Sequence, residues 1–350
     1  PQNITSRFDL SIEEVIVKVD AGREMSVALT SLGRVFTWGY NGYGQLGNNT
    51  LTGSNIPIDI TSYFSLTADE IIQDIYGEAN YTIYALSSKH YLYVWGRNFY
   101  GSACQASCTN YSLLTPLRID SSFPLEVGEV IDNVYSNSSA AYVLTSFNNV
   151  YGWGSNYWGN FGNGTADSAY ICVPSPVLLT NVISLTEGEV IIDVVAGPNM
   201  SYFVTSTGRL FGSGYNTNGQ LGVNYTSFRI STKTEITSNF GFAEAETILK
   251  IGVGNGNSVL LTNIGRVFVW GSGLGGILGT GDENDVISPL DITALFDLEE
   301  GDHIKSVYVG IFHSYAYSMN GVVFVWGNNA LGLFGDGTFD SSLIVKAINQ

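Results

Sequence analysis

GREMSVALTSLGRVFTWGYNGYGQLG, residues Gly22 to Gly47, is the stretch whose reading decides the fold. Ser26–Thr30 and Val35–Trp38 are two short apolar, β-prone runs. Between them, Thr30-Ser31-Leu32-Gly33 opens with a hydroxyl and closes on a glycine, as a turn with one positive φ requires. The pattern predicts a β-hairpin. After Trp38-Gly39, residues Asn41, Gly44 and Gly47 punctuate a loop. Further along the chain the stretch recurs. Trp38 is matched by Trp95, Trp153, Ser213, Trp270 and Trp326, a spacing of 56 to 60 residues. Such a period marks a chain of stacked supersecondary units.

The register holds position by position. The glycine after the tryptophan recurs as Gly96, Gly154, Gly214, Gly271 and Gly327, and Gly44 recurs as Gly101, Gly159, Gly219, Gly276 and Gly332. An aromatic always stands two residues before the tryptophan: Phe36, Tyr93, Tyr151, Phe211, Phe268 and Phe324. The turn hydroxyl is Thr30, Ser87, Thr145, Thr205, Thr262 and Ser318. With these residues in place, the chain resembles the regulator of chromosome condensation repeat family. Gly22–Gly47, Gly197–Gly222 and Gly310–Gly335 follow its repeat signature most closely. The resemblance implies an all-β fold, a β-propeller of four-stranded blades. The family histidine survives only as His313, Cys104 replaces a glycine, Ser213 replaces a tryptophan, and six repeats are counted where members usually have seven.

The units run over residues 6–61, 62–120, 121–180, 181–237, 238–293 and 294–350, and the chain is read as one repeat domain over 1–350. Pro1–Thr5 is left over and resembles the closing strand of later units, such as Pro57–Thr61, Pro289–Thr293 and Val345–Asn349. An extra strand copy is expected there, able to pair with another molecule or to mark a cut from a longer array. The absence of an initial Met reads as a mature or excised segment. No apolar run is long enough for a membrane-spanning helix.

Charge narrows the functions. Fourteen basic residues face 31 acidic ones, a net charge of −17, which opposes a nucleic-acid partner. Scarce lysine and abundant Asn, Ser, Thr and Tyr suit an extracellular or secreted protein. Three cysteines cannot frame a disulfide scaffold, although Cys104 and Cys108 could close a small loop. An alternative is that both are free, half-buried thiols.

Each unit carries an acid ahead of its first strand: Glu14, Glu70, Glu129, Glu189, Glu246 and Asp302. Two readings stand. The carboxylates accept backbone N–H groups where the strand begins, or they form a cation-attracting ring. Asp282, Glu283 and Asp285 are a weaker candidate for calcium, since their spacing matches no known loop. No Ser–His–Asp set can be assembled from equivalent loops and no zinc spacing occurs, so no catalytic residue or other cofactor is assigned and no enzyme is expected. Tyr43, Tyr100 and Trp158 share one loop position that is Asn218, Gly275 and Leu331 in later units. They are read as contact residues or as packing on neighbouring glycines. Sequons for N-linked glycans stand at Asn3, Asn48, Asn80, Asn110, Asn137, Asn163, Asn199 and Asn224, with none beyond.

The main expectation is therefore a non-catalytic extracellular glycoprotein scaffold, able to self-associate into a filament through its terminal strand. The alternatives are a protein-binding regulator, such as a small-GTPase exchange factor as the resemblance implies, and a secreted inhibitor acting through aromatic loops.

Overall fold

A computed structural model describes residues 3–77, 81–104, 111–136, 140–167 and 172–348. Strands β1 (Ile16–Gly22), β2 (Met25–Thr30), β3 (Val35–Gly39) and β4 (Ser54–Asp59) pair in that order as an antiparallel sheet. The predicted hairpin is β2–β3. Its turn closes through the Gly33 amide, which donates to the Thr30 carbonyl at 3.0 Å with φ +78°. Five further sheets with the same strand order span 72–118, 131–178, 191–235, 248–291 and 304–348. The fold is all-β, with six four-stranded propeller-type blades, as the repeat predicts.

The glycine after the tryptophan is dictated by the neighbouring strand. A Cβ on Gly39 would lie 2.6 Å from the Glu24 carbonyl oxygen and 2.7 Å from the Met25 Cα. The connector phenylalanines have an equally local reason. Phe8, Phe64, Phe123, Phe240 and Phe296 stand edge-on to Trp38, Trp95, Trp153, Trp270 and Trp326, with ring centroids 5.3–5.8 Å apart. Each of these five connectors thus folds its aromatic onto the sheet it introduces, in the edge-to-face geometry aromatic pairs favour, while the connector at Ile183 has no aromatic.

The chain forms two compact units, Pro1–Tyr157 with Asp167–Asn181, and Trp158–Ala166 with Val182–Gln350. In the first unit, Met25, Val27 and Leu29 of one sheet pack with Ile72, Ile75, Tyr93 and Trp95 of the next. Val259 and Leu261 meet Ile304, Val307, Phe324 and Trp326 in the same way in the second. Residues of alternate strand position face opposite sides of each sheet, and second strands such as Thr82–Ser87, Ala140–Thr145, Met200–Thr205 and Asn257–Thr262 are buried on both faces.

The strand expected over Pro1–Thr5 is not formed by its described residues. Thr5–Arg7 is a 3₁₀ turn, and the Asn3 Oδ1 accepts from the Thr5 amide at 2.9 Å. Asp59 and Asp291 make the same bond to Thr61 and Thr293 just after the fourth strand of their sheets. The segment therefore matches the exit from a blade, and Pro1 and Gln2 lie outside the described residues. Among the described residues no helix is long and apolar enough to cross a membrane.

Candidate functional site

Successive repeats are fastened by one recurring bond. The indole N–H of Trp95 donates to the Gln45 carbonyl at 3.0 Å, Trp153 to Ser102 at 2.8 Å, Trp270 to Gln220 at 2.9 Å and Trp326 to Ile277 at 2.9 Å. Each acceptor lies in the loop of the preceding repeat, seven residues after its own tryptophan position. Ser213, where the tryptophan is missing, sends its hydroxyl to the equivalent Asn160 carbonyl at 3.0 Å. These four indoles are fully buried. The loops of repeats one to five are thus each tied through the main chain to the repeat that follows.

An asparagine three residues beyond the tryptophan shapes that loop. Asn41 accepts from the Leu46 amide at 2.9 Å and donates to the Thr50 and Thr52 carbonyls. Asn98, Asn216 and Asn329 accept in the same way from Ala103, Leu221 and Phe334. The repeat signature contains this asparagine, but the sequence alone does not reveal that it is a buried clamp. Repeat five has Gly273 instead.

The six acids are fasteners too, and the first of the two sequence readings describes them. Five are buried glutamates. Each accepts the amide three residues earlier, at 2.8–2.9 Å, from Ser11, Thr67, Glu126, Thr186 and Ala243. Thr145 and Thr205, two of the turn hydroxyls, donate to Glu129 and Glu189 at 2.5 Å. Arg34, Arg209 and Arg266 complete the lock at 2.8–3.0 Å from Glu14, Glu189 and Glu246. Their spacing, four residues after the turn hydroxyl, was the available signal. Burial would raise the Glu14 carboxyl, but the Thr30 hydroxyl, the Ser11 amide and the Arg34 guanidinium outweigh it and hold it at about 2. Glu189 is held lower still, against its own burial, by the Thr186 amide and the Thr205 and Thr207 hydroxyls. One oxygen of each carboxylate is thus committed to the backbone, while the buried Oε1 atoms of Glu14 and Glu246 have no hydrogen-bond partner. Asp302, one methylene shorter, instead accepts from the His303 and Asn320 amides.

The contact position of the loop behaves differently along the chain. Tyr43 is half-buried, with its ring 4.9 Å from Tyr81 of the next repeat and the Arg97 guanidinium 4.5 Å over it. Trp158 is half-buried 4.6 Å from Tyr215 and 5.5 Å from Phe228. Tyr100 is half-buried with φ +54°. Packing is therefore what Tyr43 and Trp158 do. In repeat five the position is Gly275, and a recess of about 250 Å³ stands there. It is lined by Ser272, Phe312, Asn328 and Asn257. By repeat register the first three replace Tyr40, Tyr81 and Arg97, the neighbours of Tyr43. Around it Leu274, Ile311 and Phe312 are 76%, 59% and 53% exposed, and Leu331 in the next loop is 74% exposed. Sequence reasoning looked for aromatics present and missed the place where one is absent.

Inside the recess, Asn257 is 1% exposed, and neither end of its amide has a hydrogen-bond partner. Its counterpart Thr82 finds the Arg97 carbonyl at 2.7 Å and the Ser102 hydroxyl at 3.0 Å. Ile277 stands where Ser102 would be, so that hydroxyl is missing.

The other predicted residues do not assemble with this site. Asp282 is occupied by Asn284, and Asp285 by the Gly273 amide and the Asn218 side chain. Among the described residues no three His, Cys, Asp or Glu side chains converge in a metal-binding group, so Asp282, Glu283 and Asp285 form no calcium cluster. Cys104 is a free thiol buried in the core, its pKa pushed up to about 12 by desolvation. Cys108 lies outside the described residues, as do Asn80, Asn110 and Asn137. Asn3 and Asn224 are exposed, whereas Asn48, Asn163 and Asn199 are half-buried.

Comparison with known proteins agrees with this architecture. The family model described as "Regulator of chromosome condensation (RCC1) repeat" matches residues 16–45 and 191–220, and a second model of that repeat matches 33–74 and 265–317. The ultraviolet-B receptor UVR8 of Arabidopsis thaliana is 26% identical over 335 residues, covering 94% of this chain and 70% of the receptor. The human E3 ubiquitin-protein ligase HERC2 is 25% identical over 328 residues, which are 92% of this chain but 6% of the ligase. Among solved structures, human WBSCR16 superposes with a TM-score of 0.76 at 22% identity, covering 97% of this chain and 83% of that one. Prp20p of Saccharomyces cerevisiae, whose structure was described with its binding to Gsp1p and histones, gives 0.76 at 20% identity, covering 96% and 77%.

Proposed function

The chain belongs to the regulator of chromosome condensation repeat family, and from that premise we propose that it is a non-catalytic protein-binding module of regulatory type. The observation that carries this reading is the apolar rim of Leu274, Ile311 and Phe312 around the recess beside Gly275. Large apolar side chains clustered on loops above a fixed scaffold are what a protein contact needs. The net charge of −17 favours a basic partner and disfavours nucleic acid. Prp20p offers a precedent within the same fold for a protein that meets both a partner protein and histones.

A photo-crosslinking amino acid placed at Leu274 should capture a discrete partner in native extract, and one placed at Val127, fully exposed elsewhere, should not. Equal capture from both sites would refute the assignment of this surface.

A secreted glycoprotein that self-associates is the second reading. It is favoured by Asn48 and Asn163, whose Oδ1 atoms each accept from the sequon threonine hydroxyl, 2.8 Å from Thr50 and 2.7 Å from Thr165, in surface loops. Intact mass of native material decides it, since hexose-bearing mass is required.

A further inference from the structure

We infer that the recess beside Gly275 is a socket for one aromatic side chain with a polar tip, tyrosine above all, supplied by a partner protein. This rests on the protein-binding reading and names what its surface recognises.

Other repeats fill the corresponding place from within the chain. Between repeats one and two, the chain fills this place with its own Tyr43 ring against Tyr81. Between repeats three and four, Trp158 fills the place against Tyr215, which holds the register position of Arg97 and Asn328. Between repeats five and six, the receiving wall persists as Phe312 and Asn328, but the donor position is Gly275. A Cβ built on Gly275 meets nothing closer than the Asn328 Cβ at 4.0 Å, so the space is open. The clamp asparagine of other repeats is also absent here, because at Gly273 a Cβ would meet the Asn284 carbonyl oxygen at 2.1 Å.

Size and chemistry agree on the occupant. An apolar cavity of about 150 Å³ holds a benzene ring, so about 250 Å³ accommodates a phenol. The adjoining recess between repeats four and five, about 100 Å³ and lined by Asn218, is too small for a ring. Phe312 and Ile277 supply the apolar walls, and Phe312 is positioned as Tyr81 is under Tyr43. Asn257 supplies an NH2 donor group and a carbonyl acceptor with no internal use. A hydroxyl, which both donates and accepts, completes it. A purely aliphatic side chain would leave that buried amide unpaired, a selective penalty. Asp285, beside the rim through its bond to the Gly273 amide, and the overall acidity favour basic residues flanking the aromatic.

The test uses p-cresol, the tyrosine side chain alone, followed by ligand-observed saturation transfer on the whole chain. Saturable binding is expected in the parent. Gly275→Tyr should plug the socket from within and weaken binding at least tenfold. Its backbone is tolerable, because Tyr100 occupies the equivalent position at φ +54° against +72° for Gly275. If that variant fails to fold, Phe312→Ala serves in its place and should also weaken binding. Asn257→Leu should weaken p-cresol about fivefold or more and should not weaken toluene. An acetylated Lys-Tyr-Lys amide should bind more tightly than the Glu-Tyr-Glu peptide, with the gap closing in high salt. Failure of p-cresol to saturate the parent, or equal binding by Gly275→Tyr, overturns the socket. If that happens while crosslinks from Leu274 persist, the protein-binding surface stands and only its aromatic specificity falls.

Discussion

The loop of repeat one and the loop of repeat five share a backbone plan and differ in what fills it. In repeat one, Asn41 clamps the loop and Tyr43 lies on Tyr81 under Arg97. In repeat five, glycines stand at both positions and an unsatisfied asparagine waits below. The difference teaches that an aromatic in a repeat loop is not itself a sign of recognition. Satisfied within the chain, it closes the surface. Removed, it exposes the same receptor to other molecules.

The comparison can be broken first at its floor. Trp95→Ala and Trp270→Ala each delete a fully buried indole and its bond to the preceding loop, so each should cost about 3–5 kcal/mol, measured by denaturant unfolding. A loss below about 1 kcal/mol would show that the loops do not depend on that bond. Next, Tyr43→Gly should convert the closed loop into an open one. It should cost about 1–3 kcal/mol, and p-cresol should raise the melting temperature of this variant by refilling the space. No rescue would break the equivalence of the two sites.

Acid tests the fasteners shared by both regions. The Glu14 carboxyl ionises at about 2 in the fold, below its ordinary 4.5, so its contribution is complete above about 4.5 and is lost as pH falls through 2. Stability should therefore decline between those values, and Glu14→Gln should flatten part of that decline. An unchanged pH profile would remove Glu14 from the set. The smallest effect sharpens the contrast: Asn257→Leu should stabilise by about 1 kcal/mol, because it removes a buried amide with no partner. A marked loss of stability would mean that the amide is engaged within the fold.

Much of this was legible in the chain. The period, the Thr30–Gly33 turn and the invariant glycines define the blades, because strand alternation and turn stereochemistry are local properties. The acids were visible as a column, and the carboxylate-to-backbone reading described them. Their other partners, such as Arg34 and Thr145, were not identified, since pairing depends on how the turn returns to the connector. Pro1–Thr5 misled through similarity at the very edge of a strand, where Asn3 already begins the following turn. The recess was least legible. It is made by Gly275 acting together with Phe312 and Asn328 from the next repeat, and only folding brings these together.

The bond from each indole has one more consequence. Its acceptor is a main-chain oxygen, carried in turn by Gln45, Ser102, Gln220 and Ile277. The link between neighbours does not read the identity of the residue that supplies it. The loops can therefore be treated as interchangeable cassettes on a standard fitting. Transplanting residues 42–47 into positions 274–279 keeps Gly273, which the Asn284 carbonyl oxygen requires, and exchanges the rest of the loop over the same main-chain acceptor, so the chain is a natural starting frame for engineered binders built by exchanging loops one repeat at a time.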